Sequence, residues 1–488
     1  MRMDSRSSAM TTPGLDSVTR MGKTMPQSAD VVICGAGMVG VSTAYFLAEM
    51  GVQDVVLIDR QTPLSFTSDK SAETYCNWWP DEIMFRFANR STEIMEDLAR
   101  DEDNVFNLNR RGECYIATSA DKASEFQSMV QQYAHLGLGP ARVHWADRGH
   151  SGAYVPSAFK GFEDAPLGSD LLLDQAHTEE FFPYLSDQVV AVLHARGCGW
   201  FSAHTLGMCL LERAKGHGVK ELRAEVVAVE QDKQGVCAVR VMGEKGVERI
   251  ETRRFVNAAG PFVKHVAAML QTDIPVRTGL WEKIVIKDFL GIVPRSAPTL
   301  IFKDELFLEW SEEERELLRQ DDEQRWLLNK FSSGPYMRPE GGKDSQWLLM
   351  GWAYNEPPCK VHRERDADRV GAGAVCEPQW EPQLSKDFPE VVLRGAIKMV
   401  PGLKHYLDRM PKLMHDGGYY VETKDTTGEE FREENPPLIG PLGVEGAFIV
   451  NACHGVSAGC AAGELCAIWV VGSELPDYAD ELSLKRYN

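Results

Sequence analysis

The period of apolar and polar positions changes sharply near residue 30. Asp30–Cys34 (DVVIC) is a β-branched run without alternation, the pattern of a strand buried on both faces. Gly35-Ala36-Gly37-Met38-Val39-Gly40 follows, and Val41–Met50 then takes a helical period. Gly51 ends that helix, and Val55–Ile58 (VVLI) reads as a second buried strand closed by Asp59. Together these form a β-α-β unit in about 30 residues.

Helical periods recur at Asp81–Arg100 and Ala120–Leu136, and Gly199–Gly218 reads as a turn plus a helix ending in glycine. Strands are expected at Glu225–Gln231, Gly235–Met242 and Val247–Val256, a meander that runs into Asn257-Ala258-Ala259-Gly260-Pro261. Lys283–Ile286, Thr299–Phe302 and Trp347–Trp352 look like strands of a mixed sheet, interrupted by an acidic helix near 311–325. Cys359–Pro382 reads as a polar surface loop, and Ala447–Val471 as a strand, a turn and a helix. The fold class is therefore α/β, with a Rossmann-like domain and a second domain on a mixed, largely antiparallel sheet.

Composition narrows the function classes. Against 72 Asp+Glu stand 52 Lys+Arg, a net charge of −20. That balance argues against binding nucleic acid or an anionic membrane. Eleven cysteines are scattered without a CxxC pair or a zinc-like spacing, which suggests reduced thiols in an intracellular compartment. Cytoplasm is the first expectation and the mitochondrial matrix the alternative, since residues 1–28 fit a disordered extension or a weak presequence. No run of about 18 apolar residues predicts a membrane span.

The first glycine cluster carries the chemistry. Gly35, Gly37 and Gly40 supply a tight turn, close approach of backbone to a pyrophosphate, and close helix–strand contact. The helix start beyond them offers free N–H groups to phosphate. Asp59, 24 residues after Gly35, stands where a carboxylate meets an adenosine ribose. This fingerprint fits NAD and FAD alike, and Asp59 argues only against NADP.

Further motifs decide between them by resemblance. The fingerprint continues to Ala44, and Thr67–Pro80, Gly199-Trp200, Asn257–Pro261, Gly334–Gly342, Pro437–Gly440 and His454-Gly455 with Gly463-Glu464 follow in order. In this series the chain resembles the D-amino-acid oxidase superfamily of FAD-dependent oxidoreductases, in its sarcosine oxidase and dimethylglycine dehydrogenase branch. The resemblance implies an FAD-binding domain from 29–80, 186–265 and 412–475, a substrate domain from 81–185 and 266–411, and a tail at 476–488. It implies cofactor contacts from Gly35, Gly37, Met38, Val39, Gly40, Asp59, Arg60, Ser68, Lys70, Ser71, Val226, Ala258, Gly260, Gly455, Val456 and Ser457. A helix starting near Gly455–Gly459 would turn its positive end to the reduced flavin.

The implied activity is oxidation of a C–N bond in a secondary or N-alkyl amine or amino acid. A hydride passes to the flavin, and the resulting imine hydrolyses. Oxidation of a 2-hydroxy acid or polyol, and a low-turnover flavoprotein serving assembly of a larger complex, stand as alternatives. Tyr420, His454 and Lys283 are the implied catalytic residues, with Trp78, Trp79, Trp281 and Tyr419 as further candidates for the pocket wall. Tyr419 and Tyr420 are neighbours on one strand, so only one should face the site; the resemblance points to Tyr420. Three usual carboxylate clamps are absent, because Cys76, Ser457 and Tyr420 stand at those positions. Either Arg338, Lys283 or Arg277 then binds a substrate carboxylate, or the substrate is not a simple α-amino acid. Gly418 and Lys70 stand where some relatives tether FAD, so a dissociable cofactor is expected. Dioxygen or an electron-transfer partner would reoxidise it, and the oligomeric state is left open.

Overall fold

The computed structural model describes residues 25–145, 153–354, 374–409, 411–424, 435–452 and 454–487. Val31–Cys34 is buried throughout and pairs in parallel with Val55–Asp59 on one side and Phe255–Asn257 on the other. Lys220–Arg223 extends one flank; Ala447–Asn451 and then the antiparallel Leu438–Pro441 extend the other, giving six strands. The unbroken apolar runs follow from cover on both faces. Val31, Ile33, Val55 and Leu57 pack against helices Met38–Glu49, Ala203–Gly216 and Gly459–Val471. Val32, Val56 and Ile58 pack against the antiparallel meander Glu225–Asp232, Gly235–Gly243 and Gly246–Glu251.

A second sheet of 10 strands is antiparallel in most of its pairings, the exceptions being Thr299–Phe302 with Glu113–Ala117 and Ala141–His144 with Ser169–Leu172. Its longest strands, Val276–Lys287 and Leu413–Thr423, pair over eleven register positions. At one end Val276 and Val421 join the apolar cluster of Val32 and Val56. Helix Phe388–Ile397 and the apolar side of Leu300, Met337, Leu348 and Met350 form its core.

Several expectations change in detail. The first helix begins at Met38, inside the glycine cluster. The expected single strand Val247–Val256 is broken: Gly246–Glu251 stays in the meander, while Phe255–Asn257 enters the six-stranded sheet. Thr252 causes the break, since its hydroxyl accepts from Arg254 N–H at 3.2 Å and so caps a local turn. The sequences 186–195 and 412–423, expected in the dinucleotide part, supply strands Ala191–Ala195 and Leu413–Thr423 to the large sheet. Residues 1–24 of the expected extension lie outside the described residues, but Ser28 already bridges Glu251. Within the expected loop 359–382, residues 374–375 pair with Val276–Lys287, and 355–373 lie outside the described residues. Among the described residues no helix is long and apolar enough to cross a membrane.

Helices Met38–Glu49 and Gly459–Val471 cross at Gly463, where an added Cβ would lie 2.4 Å from Ser42 Oγ and 2.5 Å from its backbone carbonyl carbon. Gly463→Ala should therefore force the helices apart and lower stability by about 1–3 kcal/mol. Gly216→Ala, at a helix end where an added Cβ meets nothing within 4 Å, should leave stability equal or slightly raised. Urea unfolding of the two variants beside the parent measures the contrast.

Candidate functional site

The carboxyl ends of the parallel strands converge on one cavity of about 870 Å³, toward the upper end of the roughly 300–1,000 Å³ usual for small-molecule sites. Cys34, Ile58, Ala258 and Asn451 sit at those strand ends and line it. The opposite wall is a face of the large sheet.

At one end the glycine turn is dictated by packing. Gly35 has φ of +110°, and an added Cβ would lie 2.3 Å from Ala258 O. Gly40 is pressed on the Gly35 carbonyl, 1.9 Å from where its own Cβ would be. Gly37 differs. Its φ of −74° suits any residue, and a Cβ there would meet only Ser68 Oγ at 3.4 Å. The protein itself leaves bare backbone facing the cavity, which is the cradle a pyrophosphate requires. Asp59 closes the second strand, its carboxylate accepting from Ala36 N–H and Gln61 N–H at 2.8 Å each. Burial raises its pKa, and those N–H donors oppose the shift. Arg60 lies over the Trp380 ring at 4.5 Å and 3.5 Å from Glu225. Val226 and Gly260 complete this end.

The segment 67–76 crosses the cavity and is held by charges beneath it. Ser68 Oγ accepts from Met38 N–H at 3.0 Å, so one of the helix's free N–H groups is already taken. Lys70 bridges Asp69 and Asp416, each at 2.9 Å. Lys283 Nζ donates to the Ser71 carbonyl at 2.6 Å, and burial lowers its pKa. Arg338, 0% exposed, donates to the Ala72 carbonyl at 2.8 Å and pairs with Glu340 at 2.7 Å. These contacts correct the expected carboxylate clamps. Arg338 is consumed in holding the segment, and Arg277 is bound to Glu422 across the strand pair, outside the cavity wall.

At the far end Tyr420 Oη lies 2.8 Å from His454 Nε2, and its ring stacks on Trp281 with centroids 4.6 Å apart. Trp79 meets the His454 ring edge-on at 5.0 Å. Burial pushes His454 down to about 4, so the ring is neutral at physiological pH. Gly455, Val456 and Ser457 line the cavity in the turn after it; the helix itself starts later, at Gly459. Trp78 also touches the cavity but packs mainly on Tyr133, at 4.5 Å.

Tyr419 faces away from this pair, toward Phe66 at 5.9 Å, and its hydroxyl accepts from Gln379 N–H. Phe66, Phe262 and Trp380 form an aromatic cluster that the sequence reading missed. Glu113, Tyr115, Thr299, Ile301 and Tyr336, on the large-sheet face, were also missed. A glutamate heading the otherwise apolar strand ECYIA was the available signal for the first of them.

A family model described as FAD dependent oxidoreductase (DAO) matches residues 30–469, nearly the whole chain. The chain belongs to that family. FAD is thus the dinucleotide for which Gly37 and Asp59 leave room. Mitochondrial dimethylglycine dehydrogenase of Rattus norvegicus is 23% identical over 382 residues, covering 77% of this chain and 38% of the relative. The Mus musculus protein is 23% identical over 468 residues, covering 94% and 44%. The chain thus spans about two-fifths of the length of these curated relatives. Among solved structures, glycine oxidase from Geobacillus kaustophilus superimposes with a TM-score of 0.66 at 17% identity, covering 94% of this chain and 98% of that one. L-proline dehydrogenase from P. horikoshii gives 0.65 at 17%, covering 95% and 98%.

Gly37→Val should fold normally yet lose FAD, because its added carbons meet the cofactor's phosphates rather than protein. The ratio of flavin to protein absorbance in the purified variant, beside its thermal midpoint, tests the assignment. An Asp59→Ala variant should bind FAD about tenfold or more weakly, as expected for one charge-assisted hydrogen bond.

Proposed function

We propose that the protein oxidises a C–N bond in a secondary or N-alkyl amine or amino acid, with FAD held without a covalent tether. The observation that carries this reading is the junction of Tyr420, His454, Trp79 and Trp281 at the cavity end beyond the glycine turns. The names of the relatives, dehydrogenases and oxidases of amines and amino acids, support it. Bound FAD supplies a two-electron acceptor for the hydride leaving the carbon next to nitrogen.

The residues of the chain orient the amine and set its charge. Aromatic walls remove water from the nitrogen, which favours the neutral amine, the form able to give up hydride. Tyr420 Oη and neutral His454 lie within hydrogen-bond distance, which fixes the hydroxyl at the cavity end where the substrate nitrogen would sit. The helix at Gly459–Val471 places its amino end under the turn 455–458, where negative charge is favoured. Lys283, fixed on the Ser71 carbonyl, adds a positive group on the sheet side. Gly418, packed on Lys70 Cβ, offers no tether, and the Cys34 thiol, which burial pushes up to about 12, is a poor nucleophile.

Anaerobic mixing with a panel of N-methyl amines and amino acids should bleach the flavin band, and admitting air or an artificial acceptor should restore it. A panel in which only 2-hydroxy acids bleach the band would overturn the reading. Tyr420→Phe should lower the limiting rate of bleaching about tenfold, the worth of one hydrogen bond, with FAD content unchanged. The parent's rate should rise with pH only as the amine loses its proton. With His454 held at about 4, no histidine step should appear near its ordinary 6.5. Stopped-flow reduction between pH 5 and 10 reads both.

A further inference from the structure

The cavity wall opposite the glycine turns bears on which amine fits, given amine oxidation at this site. Strand register sets Glu113 beside Thr299, Tyr115 beside Ile301, and Ile301 beside Tyr336. Alternation places all five on one sheet face, and all five line the cavity. Glu113 is 7% exposed, and its carboxylate accepts from Tyr115 Oη at 3.0 Å. Among the described residues no lysine or arginine reaches it at ion-pair distance; Lys303, which does not line the cavity, acts on it only through space, its Nζ 5.3 Å from the Tyr115 ring centroid. Thr299, 1% exposed, has a hydroxyl with no hydrogen-bond partner among the described residues. Both belong to the site's far end. Tyr115 Oη lies 4.0 Å from Cys76 Sγ, the Cys76 carbonyl accepts from the Trp79 indole at 3.1 Å, and Trp79 touches His454.

The positive groups nearby are already engaged. Arg338 holds Ala72 and Glu340, Lys70 holds Asp69 and Asp416, and Lys283 holds the Ser71 carbonyl with Glu73 and Asp416 in its field. The wall thus offers a carboxylate, an unpaired hydroxyl and several ring faces, which is the chemistry of a cation site. A substrate carboxylate placed there would face Glu113 and be repelled.

We propose that this wall selects a substrate with a second, cationic nitrogen and no carboxylate: a diamine or N-alkyl diamine. Its distal ammonium donates to Glu113 and Thr299 Oγ1 and lies against the Tyr115 and Tyr336 rings, while the reacting nitrogen sits at Tyr420 and His454. Burial raises the Glu113 pKa, and an ammonium at contact distance lowers it again.

The test compares anaerobic reduction of the FAD-loaded protein by N-methylbutylamine, N-methyl-1,4-diaminobutane and 4-(methylamino)butanoate. The diamine should show a KM about tenfold or more below the other two, as one charge-assisted hydrogen bond provides. In Glu113→Gln, checked for FAD content and thermal midpoint, the diamine's advantage over the monoamine should disappear. An advantage that survives the substitution, or a lowest KM for the amino acid, overturns the assignment. Should the variant fail to fold, the parent decides through its flavin spectrum. Perturbation by 1,4-bis(trimethylammonio)butane and not by succinate supports the cation site; no perturbation by the dication, or perturbation by succinate alone, overturns it. If none of the three compounds reduces the flavin, amine oxidation itself fails; reduction by the amino acid alone removes only the diamine.

Discussion

The structure depends on one steric condition: a strand end and a helix start approach each other with no side chain between them. Gly40 lies on the Gly35 carbonyl, and Gly35 lies on the Ala258 carbonyl. Any Cβ at either position separates the strand Val31–Cys34 from its helix or from the turn after Phe255–Asn257. Because those contacts are made by glycine, Gly37 is left with open space before it. The dinucleotide cradle is thus a by-product of close packing, and the rest of the site is laid out from it along the carboxyl edge of the sheet.

Beyond that edge the two sheets divide the work. The parallel sheet ends in backbone turns and one carboxylate, Asp59, which suits a ligand rich in hydroxyls and phosphate. The large sheet contributes side chains: Tyr420 and Trp281 from its two longest strands, Glu113 and Thr299 from its middle. Between them the segment 67–76 is held from below by Lys283 and Arg338 through its own carbonyls. A buried guanidinium with Glu340 beside it and a carbonyl in front is satisfied, which explains how a fully buried arginine is tolerated and why it does not reach a ligand.

Much of this was readable from residue order, for local reasons. The strand–glycine–helix start, the acid after the second strand, Asn257–Pro261 and the closing strand–turn–helix are each set within a few residues, and all lie on the cavity. Strand alternation, a local rule, separates Tyr420 from Tyr419, yet both line the cavity, Tyr420 beside His454 and Tyr419 beside Phe66. What escaped depends on register between distant strands. That Glu113 lies beside Thr299, 186 positions later, follows from a parallel pairing that no local pattern encodes. The engagement of Arg338 and Arg277 was hidden for the same reason: Ala72 and Glu422 become their neighbours only once the sheets are assembled, although Glu340, two residues beyond Arg338 on its own strand, was a local signal. The strand break at Thr252 turned on a single hydroxyl bonded to the backbone two residues on, within a stretch whose polar and apolar positions otherwise suit a strand.

The carbonyl-held segment constrains how such a protein can diverge. Ser71 and Ala72 are gripped through main-chain oxygens, so the spacing of their peptide units is fixed whatever side chains they carry. A residue gained or lost there would pull both oxygens off their cations at once and leave each buried cation short of one acceptor. New specificities should therefore arise in this lineage by exchanging side chains on the sheet face, with loop length across the cofactor kept constant.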